Sequence, residues 1–206
     1  DGDGWCVSLK QAGQILQVKA GKILNAAGAW SGDIGRMVNL HLPVFAVPLL
    51  MNVTESLPGF VGHLIQHAGR SLSLKQVRDG QVLIGGGWSS RFKRRDGIFT
   101  KDIRPDVIER HIIENLRIAA DVVPDVASAN LLRSWTGIVG VTGDQLPLLG
   151  EMPQVPGFYV AAGGSGFTLG PTYGKLMSEL IQTGSASHKI EIYSPARFRH
   201  INMFMG

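Results

Sequence analysis

The segment from Gly157 to Ile181 changes its pattern halfway along. Its first six residues, GFYVAA, are typical of a buried strand, and residues 169–180 repeat apolar side chains at helical spacing. Between them lies the turn Gly163-Gly164-Ser165-Gly166. A strand that enters a helix through such a turn indicates an αβ layer, because glycine lets the backbone turn tightly and lets another group approach it closely.

The rest of the chain reads mainly as strands. Asp79-Gly80 stands between two alternating segments, which is a strong hairpin signal and predicts an antiparallel sheet in the middle of the chain. The predicted strands cover residues 5–9, 14–20, 21–30, 44–54, 63–67, 71–77, 81–88, 130–141 and 157–162.

A helix is predicted within residues 104–126, with Pro105 in its first turn and Pro124 as its stop. A second helix follows the glycine turn, and Gly184 suits the position just past its end. The apolar face of the first helix consists of Ile108, Ile112, Leu116, Ala119 and Val123, and that of the second of Leu169, Tyr173, Leu176 and Leu180.

The order of these elements predicts an α+β or α/β fold in two domains. A strand-rich αβ layer is interrupted by an antiparallel insert that carries one helix, and the chain then returns to the first layer. The expected boundaries are 1–42 for the start of the first domain, 43–134 for the insert and 135–206 for the return.

Composition excludes several classes of protein. Hydrophobic residues make up 44% of the 206 and charged residues 17%, so a packed core is expected rather than disorder. The single cysteine, Cys6, excludes an internal disulfide and favours a reducing compartment, so a cytoplasmic location is expected. No apolar window reaches the length of a membrane span.

Charge and histidine spacing give little sign of nucleic-acid or metal binding. The net charge is +4, and the one dense basic run, Arg91–Arg95, is interpreted as a solvated loop because no basic stripe interleaved with aromatic residues surrounds it. The six histidines show no zinc-site spacing, so no metal is expected.

The glycine turn offers two interpretations from its residues alone. The start of a helix carries unpaired amides and a partial positive charge, so the turn could hold an anionic or electron-rich group. The alternative is tight packing of the strand on the helix. The turn is neither a P-loop, which ends in Gly-Lys-Ser/Thr, nor the G-x-G-x-x-G dinucleotide turn.

Five segments in this order resemble the FAD-dependent amine and amino-acid oxidoreductases of the D-amino-acid oxidase family, which includes glycine oxidase, sarcosine oxidase and hydroxyproline dehydrogenase. They are KILNAAGAWS, DGQVLIGG, RSWTGIVGVTGDQLPLLGEMP, GFYVAAGGSGFTLGP and YSPARF. The resemblance implies an FAD-binding, Rossmann-like domain with an inserted antiparallel-sheet substrate domain. The family's N-terminal G-x-G-x-x-G unit is not in the sequence, so the chain resembles the C-terminal portion of such an enzyme.

The resemblance also implies which residues would hold the cofactor, FAD. In the glycine turn and the helix start these are Gly163, Gly164, Ser165, Gly166, Phe167 and Thr168, against the pyrimidine edge of the flavin. In the earlier segment they are Ala27, Gly28 and Trp30. The alternatives are a packing turn for the first group and core burial for Trp30. Asp144 would either approach the flavin or only fix its loop.

The substrate residues are less well marked. Several family members carry an arginine where this chain has Val139, so Arg133 and Gln76 are the substrate-binding candidates and no catalytic residue is assigned. Lys75 and Arg70 are further candidates. The short glycine turn is similar to that of cyanide-forming glycine dehydrogenases and of hydroxyproline or opine dehydrogenase subunits.

The function implied is FAD-dependent oxidation of an amine or amino acid by hydride transfer to flavin, giving an imine. A small-molecule substrate and a homo- or hetero-oligomer are the expected partners, and the chain alone is expected to be inactive. One alternative is a non-catalytic FAD-fold subunit or assembly module that binds a partner chain. The other is an unrelated nucleotide-binding domain that shares only the glycine turn.

Overall fold

A computed structural model describes residues 4–200, which form two compact units. One unit contains residues 4–46 and 140–200, and the other is Val47–Val139. The chain therefore leaves the first unit and returns to it. The units divide after residues 46 and 139. The sequence predicted these boundaries a few residues earlier, after residues 42 and 134.

The structure contains strands, helices and short 3-10 turns in mixed order. The strands are β1 (Trp5–Gln11), β2 (Gln14–Ala20), β3 (Ile23–Asn25), β4 (Val44–Ser56), β5 (Ile65–His67), β6 (Leu72–Gln76), β7 (Gln81–Gly85), β8 (Lys93–Arg95), β9 (Ile98–Thr100), β10 (Leu131–Thr142), β11 (Leu148–Glu151) and β12 (Phe158–Ala162). The helices are α1 (Ser31–Arg36), α2 (Glu109–Val122) and α3 (Gly166–Thr183). The 3-10 turns are Gly28–Trp30, Ala68–Arg70, Pro124–Ser128, Glu191–Tyr193 and Pro195–Phe198.

The first unit is built on a three-stranded sheet in the order β11-β12-β3. β11 pairs with β12 in antiparallel orientation, whereas β12 pairs with β3 in parallel orientation. The hairpin β1-β2 forms a separate two-stranded ladder. The main buried cluster around this sheet consists of Leu40, Leu42, Val44, Leu148, Met152, Phe158, Val160 and Ala162. These apolar residues make β12 a central, buried strand, which fits its near-continuous hydrophobic sequence.

Helix α3 begins and ends where its sequence signals indicate. It starts within the glycine turn, buries Leu176 and Met177, and is ended by Gly184, which adopts the left-handed conformation at φ +81°. The predicted apolar face holds from Tyr173 onward, but Leu169 remains 43% exposed. The first turn of α3 therefore projects beyond the core.

The second unit is built on a five-stranded sheet in the order β10-β4-β7-β6-β5. The predicted hairpin at Asp79-Gly80 is confirmed, because β6 and β7 pair in antiparallel orientation around it. Helix α2 covers one face of this sheet. The cluster between them consists of Leu72, Leu74, Val82, Ile84, Ala119, Val123 and Val126.

Two predicted boundaries were wrong. The strand expected over residues 21–30 covers only Ile23–Asn25, because the small residues that follow turn into a 3-10 turn and then α1. The helix expected to start at Pro105 starts at Glu109. Backbone hydrogen bonds in both directions between Arg91 and Asp106, at 2.8 and 2.9 Å, hold the preceding segment extended.

Two segments expected to be loops contain strands. Part of the basic run, Lys93–Arg95, pairs with Ile98–Thr100 around Asp96-Gly97, although its side chains are solvated as predicted. Leu148–Glu151 becomes β11, since its two leucines are buried against the core. Among residues 4–200, no helix is long and apolar enough to cross a bilayer.

Candidate cofactor site

Three segments of the first unit meet beside the parallel pair β3-β12. The pairing sets Ile23 opposite Phe158 and Asn25 opposite Val160. Because the strands are parallel, the segments that follow them leave at the same edge of the sheet, which is where open αβ sheets bind ligands. We call the three segments, residues 25–30, 140–147 and 163–168, the cradle.

The first cradle segment is fixed by the buried side chain of Asn25. Its Nδ2 donates to the carbonyl of Ser31 at 2.9 Å, and its Oδ1 accepts from the amide of Ala27 at 3.3 Å. Gly28 follows at φ +55°, a conformation that favours glycine, with no heavy atom within 4 Å of where a Cβ would lie. The turn is therefore rigid, and its surface is open.

Trp30 is exposed at the end of this segment, whereas Gly140 packs against the segment's backbone. Trp30 is 41% exposed, so burial in the core does not account for it. Gly140 packs on the backbone, since a Cβ there would come within 2.9 Å of the amide nitrogen of Ala29. The end of β10 thus supports the turn from below and leaves Gly28 accessible.

The glycine turn divides into a packed half and an open half. A Cβ on Gly163 would come within 2.7 Å of the Thr142 methyl, and one on Gly164 within 3.0 Å of Pro147. Gly166 has nothing within 4 Å, and Phe167 is fully exposed. Ser165 and Thr168 are exposed as well. Packing explains the first two glycines, but it does not explain the third.

The open half presents unpaired backbone amides. The first intrahelical hydrogen bond of α3 runs from the amide of Leu169 to the carbonyl of Ser165 at 2.9 Å. The amides of Gly166, Phe167 and Thr168 precede it and have no acceptor within the helix. The Ser165 side chain does not cap them, and the first turn of α3 carries no acidic side chain. This helix start suits an electron-rich ligand.

The middle cradle segment is held by Arg197. Its Nε and Nη2 donate to the two carboxylate oxygens of Asp144 at 2.8 and 3.2 Å, and Nη2 also donates to the carbonyl of Leu146 at 3.1 Å. Nη1 donates to the carbonyls of Tyr193 and Ser194. The Arg197 hydrogen bonds lower the pKa of Asp144 to about 2.

These bonds favour the loop-fixing role for Asp144. Thr142 adds to it, because its hydroxyl donates to the carbonyl of Leu146 at 2.5 Å. Sequence reasoning missed Arg197, although it lies within the YSPARF segment that carried part of the resemblance. Its pairing with a carboxylate 53 residues earlier has no local sequence signal.

The two substrate-binding candidates lie in the second unit. The amide of Gln76 accepts from the backbone of Phe60 and Val61 and donates to the carbonyls of Leu57, Pro58 and Gly80. It thereby holds the 57–61 loop against the β6-β7 turn. Arg133 is exposed on β10 and lines a cavity. A substrate-binding role for either residue stays a prediction.

The described residues of the cradle have features that fit FAD. The cradle combines open glycine positions, three unpaired amides at a helix start and two exposed aromatic rings, from Trp30 and Phe167. The hydroxyl of Ser31, next to Trp30, is buried without a hydrogen-bond partner among residues 4–200. No group of three His, Cys, Asp or Glu side chains in that range could hold a metal ion.

Known proteins match nearly the whole chain. Residues 1–180 match the family model described as FAD dependent oxidoreductase. Glycine oxidase of Geobacillus kaustophilus is 28% identical over 205 residues, covering 90% of this chain and 48% of the enzyme. Mitochondrial dimethylglycine dehydrogenase of Rattus norvegicus is 27% identical over 197 residues, covering 88% of this chain and 23% of that protein.

Solved structures agree with this match. The crystal structure of the Geobacillus kaustophilus glycine oxidase superposes with a TM-score of 0.73 at 26% identity, covering 92% of this chain and 48% of that one. L-proline dehydrogenase from P. horikoshii shares the fold with a TM-score of 0.79 at 24% identity, covering 94% of this chain and 53% of that one. The chain spans about half, or less, of the length of each protein it matches. By the extent of the family match, the chain belongs to the FAD-dependent oxidoreductases of the D-amino-acid oxidase family.

Proposed function

We propose that this chain contributes the cradle of an FAD-dependent oxidoreductase that acts on an amine or amino acid. The unpaired amides at the start of α3, set among open glycine positions, carry the proposal. Relatives named glycine oxidase and dimethylglycine dehydrogenase support the substrate class. The chemistry that bound FAD supplies is acceptance of a hydride from the carbon that bears the amine, which gives an imine.

The chain's own residues bind and orient in this proposal. The amides of Gly166, Phe167 and Thr168 direct their N–H groups toward negative charge that develops on a ligand edge, which is a preorganised electrostatic role. Gly28 and Gly166 lack side chains where a flat ring must come close to the backbone. Trp30 and Phe167 add exposed apolar rings that exclude water from the ligand.

The remaining predicted contacts hold these groups in place. Gly163 and Gly164 let the turn pack on Thr142 and Pro147, and Arg197 fixes that loop through Asp144. Ala27 positions the turn by its hydrogen bond to Asn25. The result is a site preorganised before a ligand arrives, which lowers the cost of binding.

An absorbance spectrum of the complete protein tests the cofactor directly. We expect a bound flavin, and then reduction by members of an amine and amino-acid panel with oxygen and a dye as alternative acceptors. Protein that binds no flavin would contradict the proposal. Protein that binds flavin but is reduced by no amine would favour the non-catalytic module instead.

A matched pair of variants tests the position of the cradle. Gly166 and Gly174 both lie in α3 with nothing within 4 Å of a built Cβ, so alanine is tolerated at both. We expect Gly166→Ala to weaken FAD binding about tenfold, since its methyl would stand between ligand and amides. Gly174→Ala, two turns further on, should leave the Kd unchanged. Equal Kd values for the two variants would mean that the cradle does not contact FAD.

The proposal also concerns assembly with a second chain. One relative, from Rhodobacter capsulatus, is named sarcosine oxidase subunit beta and is 27% identical over 169 residues. We infer that the complete protein works as an oligomer with itself or with a second subunit. Light scattering at several protein concentrations, with a lone monomer as the contradicting result, tests this.

A further inference from the structure

A cavity of about 520 Å³ opens within the second unit, on the sheet that α2 covers from the other side. We propose that it binds the carboxylate group of a small organic acid with an apolar body. The proposal does not depend on the flavin. The cavity is lined by Val53, Val77, Gln81, Arg104, Leu132, Arg133 and Trp135.

The alternation of β10 places Arg133 and Trp135 on the face of the sheet that lies away from α2. Ser134 donates to the buried side chain of Asn52 at 2.7 Å, and Asn52 in turn donates to Asn115 of α2. Ser134 therefore points to the helix side of the sheet. Its neighbours Arg133 and Trp135 project from the opposite face, because successive strand residues alternate. A strand thus delivers a cation and an aromatic ring to one cavity.

Arg104 enters the same cavity without a carboxylate of its own. The two nearest acidic residues along the chain are already engaged, Asp102 with Arg95 at 3.4 Å and Asp106 with Lys93 at 3.0 Å. Among residues 4–200, the side chains of Arg104 and Arg133 make no hydrogen bond or ion pair. Two guanidinium groups therefore share a cavity with no protein anion to neutralise them.

The lining selects a class of ligand. Guanidinium groups bind carboxylates through two parallel hydrogen bonds, and a pair of them favours a ligand that brings negative charge. Trp135, Val53 and Val77 form apolar walls beside that charge. An inorganic anion would leave these apolar side chains in contact with water, whereas the hydrocarbon part of an organic acid covers them.

The test titrates the complete protein with hexanoate and follows tryptophan fluorescence. Trp135→Phe identifies the part of the signal that comes from this cavity. We expect saturable binding that weakens as salt is added, since the attraction is partly screened. Hexanamide, which has the same length without charge, and inorganic phosphate, which has charge without an apolar body, should each bind at least about tenfold more weakly.

Arginine variants connect the binding to the cavity. Arg104→Gln and Arg133→Gln should each raise the Kd for hexanoate about tenfold, the cost of a charged hydrogen bond. The lysine variants at both positions should have Kd values between those of wild type and the glutamine variants. Lysine keeps the charge but cannot form two parallel hydrogen bonds to a carboxylate. Arg110→Gln is the matched control, since Arg110 is exposed on α2 and does not line the cavity.

Three results would overturn the proposal. They are the absence of saturable hexanoate binding, an unchanged Kd in both Arg104→Gln and Arg133→Gln, and equal binding of hexanamide or phosphate. Both arginines are exposed, so their substitution should leave the fold intact, which circular dichroism checks. Failure of flavin binding in the same protein would leave this outcome unaffected.

Discussion

The two glycine-rich turns of this chain look alike in sequence and differ in what their glycines do. One follows β7 in the second unit, at Gly85-Gly86-Gly87, and the other follows β12 in the first unit, at residues 163–166. A Cβ on Gly86 would overlap the carbonyl oxygen of Ser71, and one on Gly85 would come within 2.6 Å of the Met51 sulfur. Gly85 and Gly86 of this turn are therefore crowded by the protein itself, whereas Gly87 has open space and needs glycine for its backbone angle, φ +87°.

The turn after β12 needs glycine for two reasons. Gly163 and Gly164 are crowded by Thr142 and Pro147, but Gly166 has open space where a Cβ would lie and stands beside unpaired amides. The lesson is that a run of glycines does not by itself mark a ligand site. The open member of the run, next to backbone donors without acceptors, is the informative one.

The largest expected effect comes from adding a methyl group to the crowded turn at Gly86. Gly86→Ala puts a methyl into the Ser71 carbonyl at φ +133°, so we expect a loss of about 3 kcal/mol or more in the free energy of unfolding of the second unit. Denaturant unfolding measures it. Gly87→Ala, at φ +87° but in open space, should cost only about 1 kcal/mol of backbone strain. Similar costs at both positions would break the comparison.

A smaller effect is expected at the packed half of the second turn. Gly163→Ala places its methyl against that of Thr142 and keeps φ at +74°, which should cost about 2 kcal/mol. Thr142→Ser removes the opposing methyl and keeps the hydroxyl that donates to Leu146. The double variant should therefore recover part of the loss. Strict additivity would show that Thr142 is not the obstacle.

The Asp144–Arg197 pair should make the cradle loop sensitive to acid. The folded pKa of Asp144, about 2, lies below the ordinary 3.8, so its stabilisation is complete above pH 4 and is lost as the pH falls toward 2. Because the pair is partly exposed, we expect about 1 kcal/mol. Comparing the pH dependence of unfolding for wild type and Asp144→Asn tests this. An unchanged acid limb in the variant would contradict it.

The smallest effect on stability is expected in the open half of the glycine turn, at Phe167. Phe167 is fully exposed, so Phe167→Ala should change the free energy of unfolding by less than about 0.5 kcal/mol. Phe158→Ala is the matched control, since Phe158 is 1% exposed and its loss should cost about 3 kcal/mol or more. A large loss for Phe167→Ala would mean that its ring stabilises the protein's own fold.

Local patterns predicted the elements whose signals are themselves local. The β6-β7 hairpin follows from Asp79-Gly80, and the end of α3 follows from Gly184, which adopts the left-handed conformation there. The start of α2 did not follow, because the bridge between Arg91 and Asp106 keeps the preceding residues extended. That bridge joins residues 15 positions apart, and helical periodicity carries no trace of it.

The candidate site divides in the same way. The glycine turn and the NAAG segment are visible in the sequence, and their meeting follows once β3 and β12 pair in parallel. The support from Arg197 is not visible, since a salt bridge between distant residues leaves no spacing rule. The engagement of Gln76 with five backbone groups is likewise a property of the folded loop.

The grip of Arg197 on residues 144–146 has a consequence for how the protein is made and destroyed. During synthesis, Asp144 cannot form its salt bridge to Arg197 until a further 53 residues have been added to the chain. We expect a cut between Tyr193 and Arg197 to weaken that salt bridge while leaving every strand intact. Such a cut should therefore loosen residues 144–146 before it unfolds the first unit.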